Sequence, residues 1–202
     1  KTDWVGFCQY RKFFVKNNLS VHHLDFKNFN NILVKEIESH YQNYDCILGN
    51  KFSVKNYKIS KILKNHLKFF LERPSLFVNK QKRNLKLHFD IFHGKGNLDA
   101  AINLLDEENK YGFKNYMNNQ TEFNPHNMFI CKTKILKDYY NVIFPWLNKC
   151  ENLFGLKDRE DYGLKRIYGF LAERFLSYWF NKNYNIIELP IIGKDLSDYK
   201  NL

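Results

Sequence analysis

The sequence lacks long apolar runs and paired cysteines. No window of the 202-residue chain approaches the roughly 18 uninterrupted apolar residues of a membrane-spanning helix, and no signal peptide is visible. The four cysteines show neither CxxC spacing nor accompanying histidines at zinc-binding spacing: Cys8, Cys46, Cys131 and Cys150. We therefore predict a cytoplasmic protein whose cysteines are buried free thiols.

Several common catalytic templates are also missing. The chain has no GxxxxGK[ST] phosphate loop, no GxGxxG after a strand and no GxSxG nucleophile elbow. Asp-x-Asp, the usual metal-diphosphate motif of sugar transferases, is absent as well. The nearest acidic cluster, residues 158–161, falls between two predicted helices, and we interpret it as solvated surface. These absences exclude the nucleotide-hydrolase, dinucleotide-binding and α/β-hydrolase signatures.

What the chain does contain is a globular composition with a localised charge. Apolar residues make up 44% and aromatic residues 17%, so the chain can bury a core, and its length suits one domain over residues 1–202. Residues 51–95 contain twelve Lys/Arg against two acids and so hold ten of the eleven net positive charges. This block indicates a partner that carries phosphate, whether nucleic acid, anionic membrane or phosphorylated substrate.

Hydrophobic periodicity predicts strands that alternate with long helices. Strands are predicted at 4–8, 44–49, 127–131 and 184–192, the first two of them buried and the last bent at Pro190. Helices are predicted at 56–72, 97–108 with Asn97 as cap, 132–154 with a kink at Pro145, and 163–183. This alternation predicts an α/β layered domain.

The helix predicted at 56–72 has an apolar face and a basic face. Its basic face is formed by four lysines: Lys58, Lys61, Lys64 and Lys68. Such a face is suited to an anionic membrane surface or to a nucleic-acid backbone. It is equally compatible with a core-packing helix whose lysines are simply solvated.

Tyr10, Arg11 and Lys12 follow the first predicted strand. Ligands of open α/β sheets gather outside the carboxyl ends of strands. Adjacent cations at such an end can bind a diphosphate and stabilise it as a leaving group. The alternative is a strand that merely reaches solvent.

One face of the last predicted helix carries polar residues. Arg166, Gly169 or Phe170, and Glu173 share this face, and Gly169 leaves room between the two charged side chains. A carboxylate that faces a gap and is flanked by cations suits a general base. The alternative is a structural ion pair between Glu173 and an arginine on another element.

Two further segments contain candidate ligand-binding side chains. His93 precedes Gly94-Lys95-Gly96, and such glycines allow a close approach to a ligand or to another backbone. Residues 124–127, Asn-Pro-His-Asn, lead into a predicted strand. Amide side chains there bind sugar hydroxyls or form ordinary Asx turns.

Four segments together resemble one protein family. Residues 5–14 (VGFCQYRKFF) resemble a VGFCHYRRYF motif, and residues 166–174 with Trp179 resemble a RVFGFLAERLLNVW helix. Residues 127–130 (NMFI) resemble its NMFIM strand, and His93 with Leu98-Asp99 resembles HHxxDLD. On these motifs the chain resembles the bacterial capsular-polysaccharide and O-antigen galactofuranosyltransferases, known as domain of unknown function 4422.

The resemblance implies a fold and a reaction. The implied fold is a GT-A-like nucleotide-sugar-binding α/β sandwich, a mixed sheet flanked by long helices. The implied reaction transfers galactofuranose from UDP-galactofuranose to a lipid-linked glycan. We expect the basic block of residues 51–95 to dock the domain at the inner face of the plasma membrane, where such an acceptor lies. Gln9, Lys12 and Gly94 depart from the family's His, Arg and His. The family also has a further stretch before the first motif, so we expect this chain to be an N-terminally truncated domain.

These observations combine into one mechanistic hypothesis, an inverting single displacement. Glu173 takes the acceptor proton, while Arg11, Lys12 and Arg174 stabilise the departing UDP. The remaining donor-binding candidates are Tyr10, His93, Asp99, Asn127 and Arg166. These cations replace the divalent metal of Asp-x-Asp enzymes, although manganese or magnesium use stays open.

Two alternatives to this hypothesis stay open. A basic nucleic-acid-binding module explains the charge and the aromatic content, but not the helix of residues 166–174. An inactive remnant of a truncated transferase is the other alternative.

Overall fold

The computed structural model describes residues 3–16, 29–56, 83–155 and 162–193. The strands are β1 (Trp4–Phe7), β2 (Lys12–Phe14), β3 (Cys46–Gly49), β4 (Phe52–Ser53), β5 (Glu122–Phe123), β6 (Phe129–Lys132), β7 (Ile186–Leu189) and β8 (Ile191–Gly193). The α-helices are α1 (Phe29–Ile32), α2 (Leu85–His93), α3 (Asn97–Ile102), α4 (Glu107–Asn119), α5 (Thr133–Phe154), α6 (Tyr162–Lys165) and α7 (Ile167–Asn183). Two 3₁₀ turns span Ser39–Asn43 and Val54–Asn56.

A four-stranded mixed sheet organises the described part of the chain. Its strand order is β1-β6-β3-β7, with β6 antiparallel to both neighbours and β7 parallel to β3. Two small pairs, β2 with β8 and β4 with β5, lie outside this sheet. The structure therefore confirms the predicted α/β class with a mixed sheet flanked by helices.

The main core lies on the face of the sheet that α5 and α7 cover. Rings from the sheet and both helices interlock there: Phe129 lies 5.1 Å from Phe180, and Tyr139 lies 5.1 Å from both Phe180 and Trp179. All four side chains are buried. Because each such ring contributes roughly 1.5–3 kcal/mol by leaving water, this cluster fixes α7 firmly on the sheet.

The long helix predicted at 132–154 is confirmed, with Pro145 inside it. The helix predicted at 97–108 starts at the predicted residue but is too long, because that segment is divided between α3 and α4. Gly96, and not Asn97, is the N-cap of α3, and the Asn97 amide donates to the carbonyl of His93. Asp106 begins a new helix because its carboxylate accepts the backbone N–H of Asn109.

The last helix differs from the prediction at its start. Arg166, with φ −110° and ψ 20°, interrupts the helical backbone between α6 and α7.

Helix α2 was not predicted at all. Its buried side chains alternate along the sequence, at Leu85, Leu87, Phe89, Ile91 and His93, a period typical of strands. The Asn84 side chain, which accepts the N–H of Leu87, supplies the helix start.

Two burial predictions near the N-terminus are wrong. Strand β1 is bordered only by β6 among the described strands, and Phe7 is 49% exposed because it lies at this sheet edge. Cys8 is exposed as well, whereas Cys46, Cys131 and Cys150 are the buried free thiols that the sequence predicted.

Part of the sequence-based interpretation lies outside the described residues. This applies to almost all of the basic helix predicted at 56–72, with Lys58, Lys61, Lys64 and Lys68, and to the acidic cluster at 158–161. Among the described helices, none is long and apolar enough to cross a membrane.

Candidate active site

Three segments meet along α7. The first is the turn of residues 9–12, closed by a hydrogen bond from the Lys12 N–H to the Gln9 carbonyl (3.1 Å). Arg11 occupies the third position of this turn with φ 65°. A positive φ at this position usually selects glycine or asparagine, so an arginine there is strained.

The second segment, residues 124–127, has two more residues of this kind. His126 has φ 84° and Asn127 has φ 50°. Within the described residues, these two and Arg11 are the only non-glycine residues with positive φ. Backbone strain that the surrounding structure maintains clusters at functional sites, so this concentration points to a ligand-binding centre.

The third segment is a polar stripe on α7, formed by residues four apart: Gly169, Glu173, Ser177 and Asn181. This stripe holds the strained loop in place. The Asn127 amide donates to the Gly169 carbonyl (2.8 Å), and the His126 N–H donates to Glu173 Oε1 (2.5 Å). The loop conformation is therefore set by the helix that carries the predicted base.

Asn124 anchors the other end of the loop. Its backbone N–H donates to Ser177 Oγ (2.9 Å), and its side-chain oxygen accepts from Asn181 (3.0 Å). Its amide also donates to the Gly49 carbonyl at the end of β3 (2.7 Å). Asn124 is fully buried and thus joins the sheet, the loop and α7.

Lys12 and His126 connect the turn to the loop. Lys12 Nζ lies 2.7 Å from His126 Nδ1. Burial lowers the pKa of His126, and the positive charge of Lys12 lowers it further, although Glu173 opposes this. The imidazole is therefore favoured in its neutral form, and Nδ1 accepts from the ammonium group.

Burial and nearby charges also shift the pKa of Lys12. Burial lowers its pKa, the carboxylate of Glu173 raises it, and the positive charge of Arg166 lowers it. Glu173 and Arg166 are therefore both close enough to act on the Lys12 ammonium group.

The Glu173 carboxylate is mostly buried, and a hydrogen bond fixes its orientation. Its side chain is 13% exposed, and Oε2 accepts a hydrogen bond from Arg174 Nη1 at 2.6 Å. Arg174 is only 2% exposed, and its guanidinium lies 3.4 Å from the ring centroid of Phe123. Arg174 thus lies behind Glu173, in the protein interior, and fixes the carboxylate from that side.

Open space lies at Gly169, about one helical turn before Glu173. A Cβ added at Gly169 would have no atom within 4 Å, and this glycine is exposed. Arg166, also exposed, precedes α7. The arrangement is a carboxylate that can accept a proton, next to an open surface and within the field of nearby cations.

The structure brings most predicted site residues together, and it gives His93 and Asp99 contacts with residues outside that set. Tyr10 is 73% exposed and stacks on the Arg11 guanidinium at 4.8 Å, on the same turn as Lys12. His93 is buried and stacks on Phe170 with 4.0 Å between the ring centroids. Asp99 forms an ion pair with Lys86 at 2.5 Å. Donor contacts of His93 and Asp99 stay predictions.

His126 is the site residue that sequence reasoning missed. The motif of residues 124–127 was selected for its amides, which turn out to be structural anchors. The available signal was an imidazole directly after a proline in a turn that precedes a strand.

In the described ranges, no group of three or more His, Cys, Asp or Glu side chains is placed to hold a metal ion.

Comparison with known proteins gives a family and a fold. The family described as Domain of unknown function (DUF4422) matches residues 1–184. No curated protein matches the sequence. A solved structure of the bifunctional glycosyltransferase WbbM, in its apo form, matches with a TM-score of 0.62 and 20% identity over 96% of this chain. This chain covers 34% of that protein, so the likeness shows a shared fold with about a third of it.

Proposed function

The chain belongs to the family described as Domain of unknown function (DUF4422), and we propose that it is a glycosyltransferase domain that moves a sugar from a nucleotide donor to a hydroxyl group. The fold shared with a protein described as a bifunctional glycosyltransferase supports this. The observation that carries the proposal is the Glu173 carboxylate, oriented by His126 and Arg174 beside the open space at Gly169.

The proposed reaction is a single displacement with inversion. An acceptor hydroxyl enters the open space and its oxygen attacks the anomeric carbon, while its proton passes to Glu173. The bond from that carbon to the diphosphate oxygen breaks, and UDP leaves with the bonding electron pair. Each carboxylate oxygen accepts one identified hydrogen bond and keeps a lone pair for the incoming proton.

The cations around Glu173 have a separate role in this proposal. Lys12 and Arg166 interact electrostatically with one another, and Arg11 adjoins Lys12 on the strained turn. Positive charge at this position stabilises the negative charge that develops on the leaving diphosphate. Since the sequence has no Asp-x-Asp motif, these side chains supply charge that such motifs provide through a metal. Arg174 acts through Glu173, because it is buried behind it.

The donor and acceptor are proposed on the sequence motifs. We propose UDP-galactofuranose as donor and a lipid-linked capsular or O-antigen glycan as acceptor, since residues 5–14 and 166–174 resemble enzymes of that type. The resembling enzymes usually have an arginine where this chain has Lys12. Lysine has the same positive charge, but it cannot form the two parallel hydrogen bonds to a phosphate that an arginine forms. This exchange alters phosphate contact geometry and leaves the reaction type unchanged.

The basic segment of residues 51–95 is proposed to dock the domain at the anionic inner face of the plasma membrane, where a lipid diphosphate acceptor lies. Binding to vesicles with phosphatidylserine should fall as salt rises, because screening weakens surface electrostatics. Absence of binding at low salt contradicts this part of the proposal.

The test of the catalytic role is Glu173→Gln, compared with Glu151→Gln, an exposed glutamate on α5. The amide cannot take the acceptor proton, so turnover of UDP-galactofuranose should be abolished in the first variant and kept in the second. Thermal stabilisation by UDP should persist in both. Normal turnover by Glu173→Gln shows that the base is wrongly assigned.

A further inference from the structure

A cavity separate from the candidate active site lies between α4 and α7, beside the residues that follow β3. Its volume is about 420 Å³, within the range of small-molecule sites. Aromatic and amide side chains dominate its lining: Tyr116, Tyr178, Asn115, Gln120 and Asn181. It is lined by none of the charged groups of the reaction centre, so it is a separate feature of the fold.

Gly112 gives the cavity its shape. A Cβ at this position would overlap the hydroxyl group of Tyr178 and lie 3.0 Å from the adjacent ring carbon. The Tyr178 ring cannot easily move away, because it is buried and packs 5.4 Å from Phe113 and 5.7 Å from Phe175. The absent side chain therefore lets a tyrosine ring form one wall.

Hydrogen bonds fix other side chains of the lining. The Tyr116 hydroxyl lies 2.8 Å from Ser177 Oγ, and Ser177 Oγ donates to the side-chain oxygen of Asn124 at 2.8 Å. Asn181 donates to that same oxygen and to the Ser177 carbonyl. Polar groups held in this way are already oriented when a ligand arrives, which lowers the entropic cost of binding.

The same stripe of α7 leads from the cavity to the reaction centre. Asn181 and Glu173 are eight residues apart, which corresponds to roughly 12 Å along a helix axis. Asn124, the anchor of the strained loop, touches the stripe between them. A ligand in the cavity is thus held by the elements that position Glu173.

The charges at the cavity favour a neutral ligand. Its two lysines face acidic partners: Lys51 lies 3.2 Å from Glu188, and Lys182 lies 3.5 Å from Glu108. Glu122 adds a negative charge to the lining. Phosphate groups meet no uncompensated cluster of cations here, in contrast to the turn that carries Arg11 and Lys12.

We propose that this cavity binds a neutral saccharide, the acceptor glycan of the transfer reaction; the proposal rests on the transferase function proposed above. Amide groups both donate and accept hydrogen bonds, as sugar hydroxyls require. Tyrosine side chains present a large apolar body with a polar tip, and a sugar ring has the same mixed character. The donor nucleotide binds elsewhere, at the strained turn and loop.

The experiment uses the full 202-residue chain, labelled with nitrogen-15. Methyl β-D-galactofuranoside and methyl β-D-galactopyranoside are titrated while the side-chain amide signals of Asn115, Gln120 and Asn181 are followed. The test variant is Asn115→Ala/Gln120→Ala, whose two positions are exposed. The matched control is Asn148→Ala, an exposed amide on α5 that is not part of the lining. Thermal shift with UDP is measured on every sample.

Saturable shifts of these amide signals at millimolar sugar are expected for the wild type and for Asn148→Ala. In the double variant the Asn181 amide is the remaining signal of the three, and it should show binding at least about tenfold weaker, the change expected from losing roughly 1.4 kcal/mol of hydrogen bonding. No saturable shift, or unchanged binding in the double variant, overturns the saccharide site. If the saccharide site is overturned but UDP still stabilises the protein, the transferase proposal stands. If the sugars bind but UDP does not stabilise the protein, the result contradicts the transferase proposal and leaves the saccharide site standing.

Discussion

Lys12 and His126 are 114 residues apart in the sequence, and their side-chain nitrogen atoms lie 2.7 Å apart. This contact joins the turn before β2 to the loop before β6, and the loop is in turn bonded to Glu173 through the His126 N–H. Two strained backbone segments are thereby held against one carboxylate. Residues held at positive φ raise the conformational energy of the backbone, and this is expected where the fold maintains a ligand-binding geometry.

The first prediction concerns pH. The folded-state pKa of His126 lies below its unfolded value, near 6.5, because burial and Lys12 disfavour the charged ring. The unfolded chain therefore binds more protons, and stability is lost as pH falls from about 6.5 through the folded-state pKa. His126→Asn does not titrate, and asparagine tolerates a positive φ. Its melting temperature should therefore fall less steeply than that of the wild type between about pH 6.5 and 5.

Other histidines, including the buried His88, titrate in both proteins, so the difference between the two profiles isolates His126. Parallel profiles over this range contradict the assigned contact with Lys12.

The second prediction uses the space at Gly169. Gly169→Ala should fold normally and raise the free energy of unfolding by up to about 1 kcal/mol, since alanine favours helix and its Cβ meets no atom. Gly169→Leu should also fold, because leucine is a good helix former. Its side chain should nevertheless exclude substrate and reduce turnover strongly.

Urea unfolding and turnover are measured on both Gly169 variants. Full activity of Gly169→Leu shows that substrates do not enter beside Glu173.

The third prediction concerns the buried ion pair. Arg174→Met removes the partner of Glu173 and leaves a mostly buried carboxylate, which should cost about 3–5 kcal/mol in the free energy of unfolding. Lys182→Met breaks the exposed pair with Glu108 and should cost about 1 kcal/mol or less. Urea denaturation of both variants measures the difference. Similar losses in the two variants contradict the buried position of Arg174.

Local sequence patterns predicted the parts of the site that a single element determines. The helical period places Gly169 and Glu173 on one face, and the end of a strand pattern places Arg11 and Lys12 on a turn. The contact of Lys12 with His126 was beyond such reasoning. It depends on how β1 and β3 pair with β6, and no local pattern sets that pairing.

The prediction of α2 failed for a different reason. A helix buried on most of its circumference has no polar stripe, and the alternation of Leu85, Leu87 and Phe89 obscured its period. Tertiary packing and the Asn84 cap determine this helix. Similarly, the single helix predicted through residues 97–108 overlooked Asp106 as a start signal.

The central claim is that the site binds a UDP-sugar. The most direct test is the thermal shift of this chain with UDP, UDP-galactofuranose, UDP-galactopyranose and GDP-mannose, with and without manganese. We expect stabilisation by the UDP compounds, greatest with UDP-galactofuranose and present without manganese, because Arg11, Lys12 and Arg166 supply positive charge for the diphosphate. No stabilisation by any UDP compound, or equal stabilisation by GDP-mannose, would contradict it.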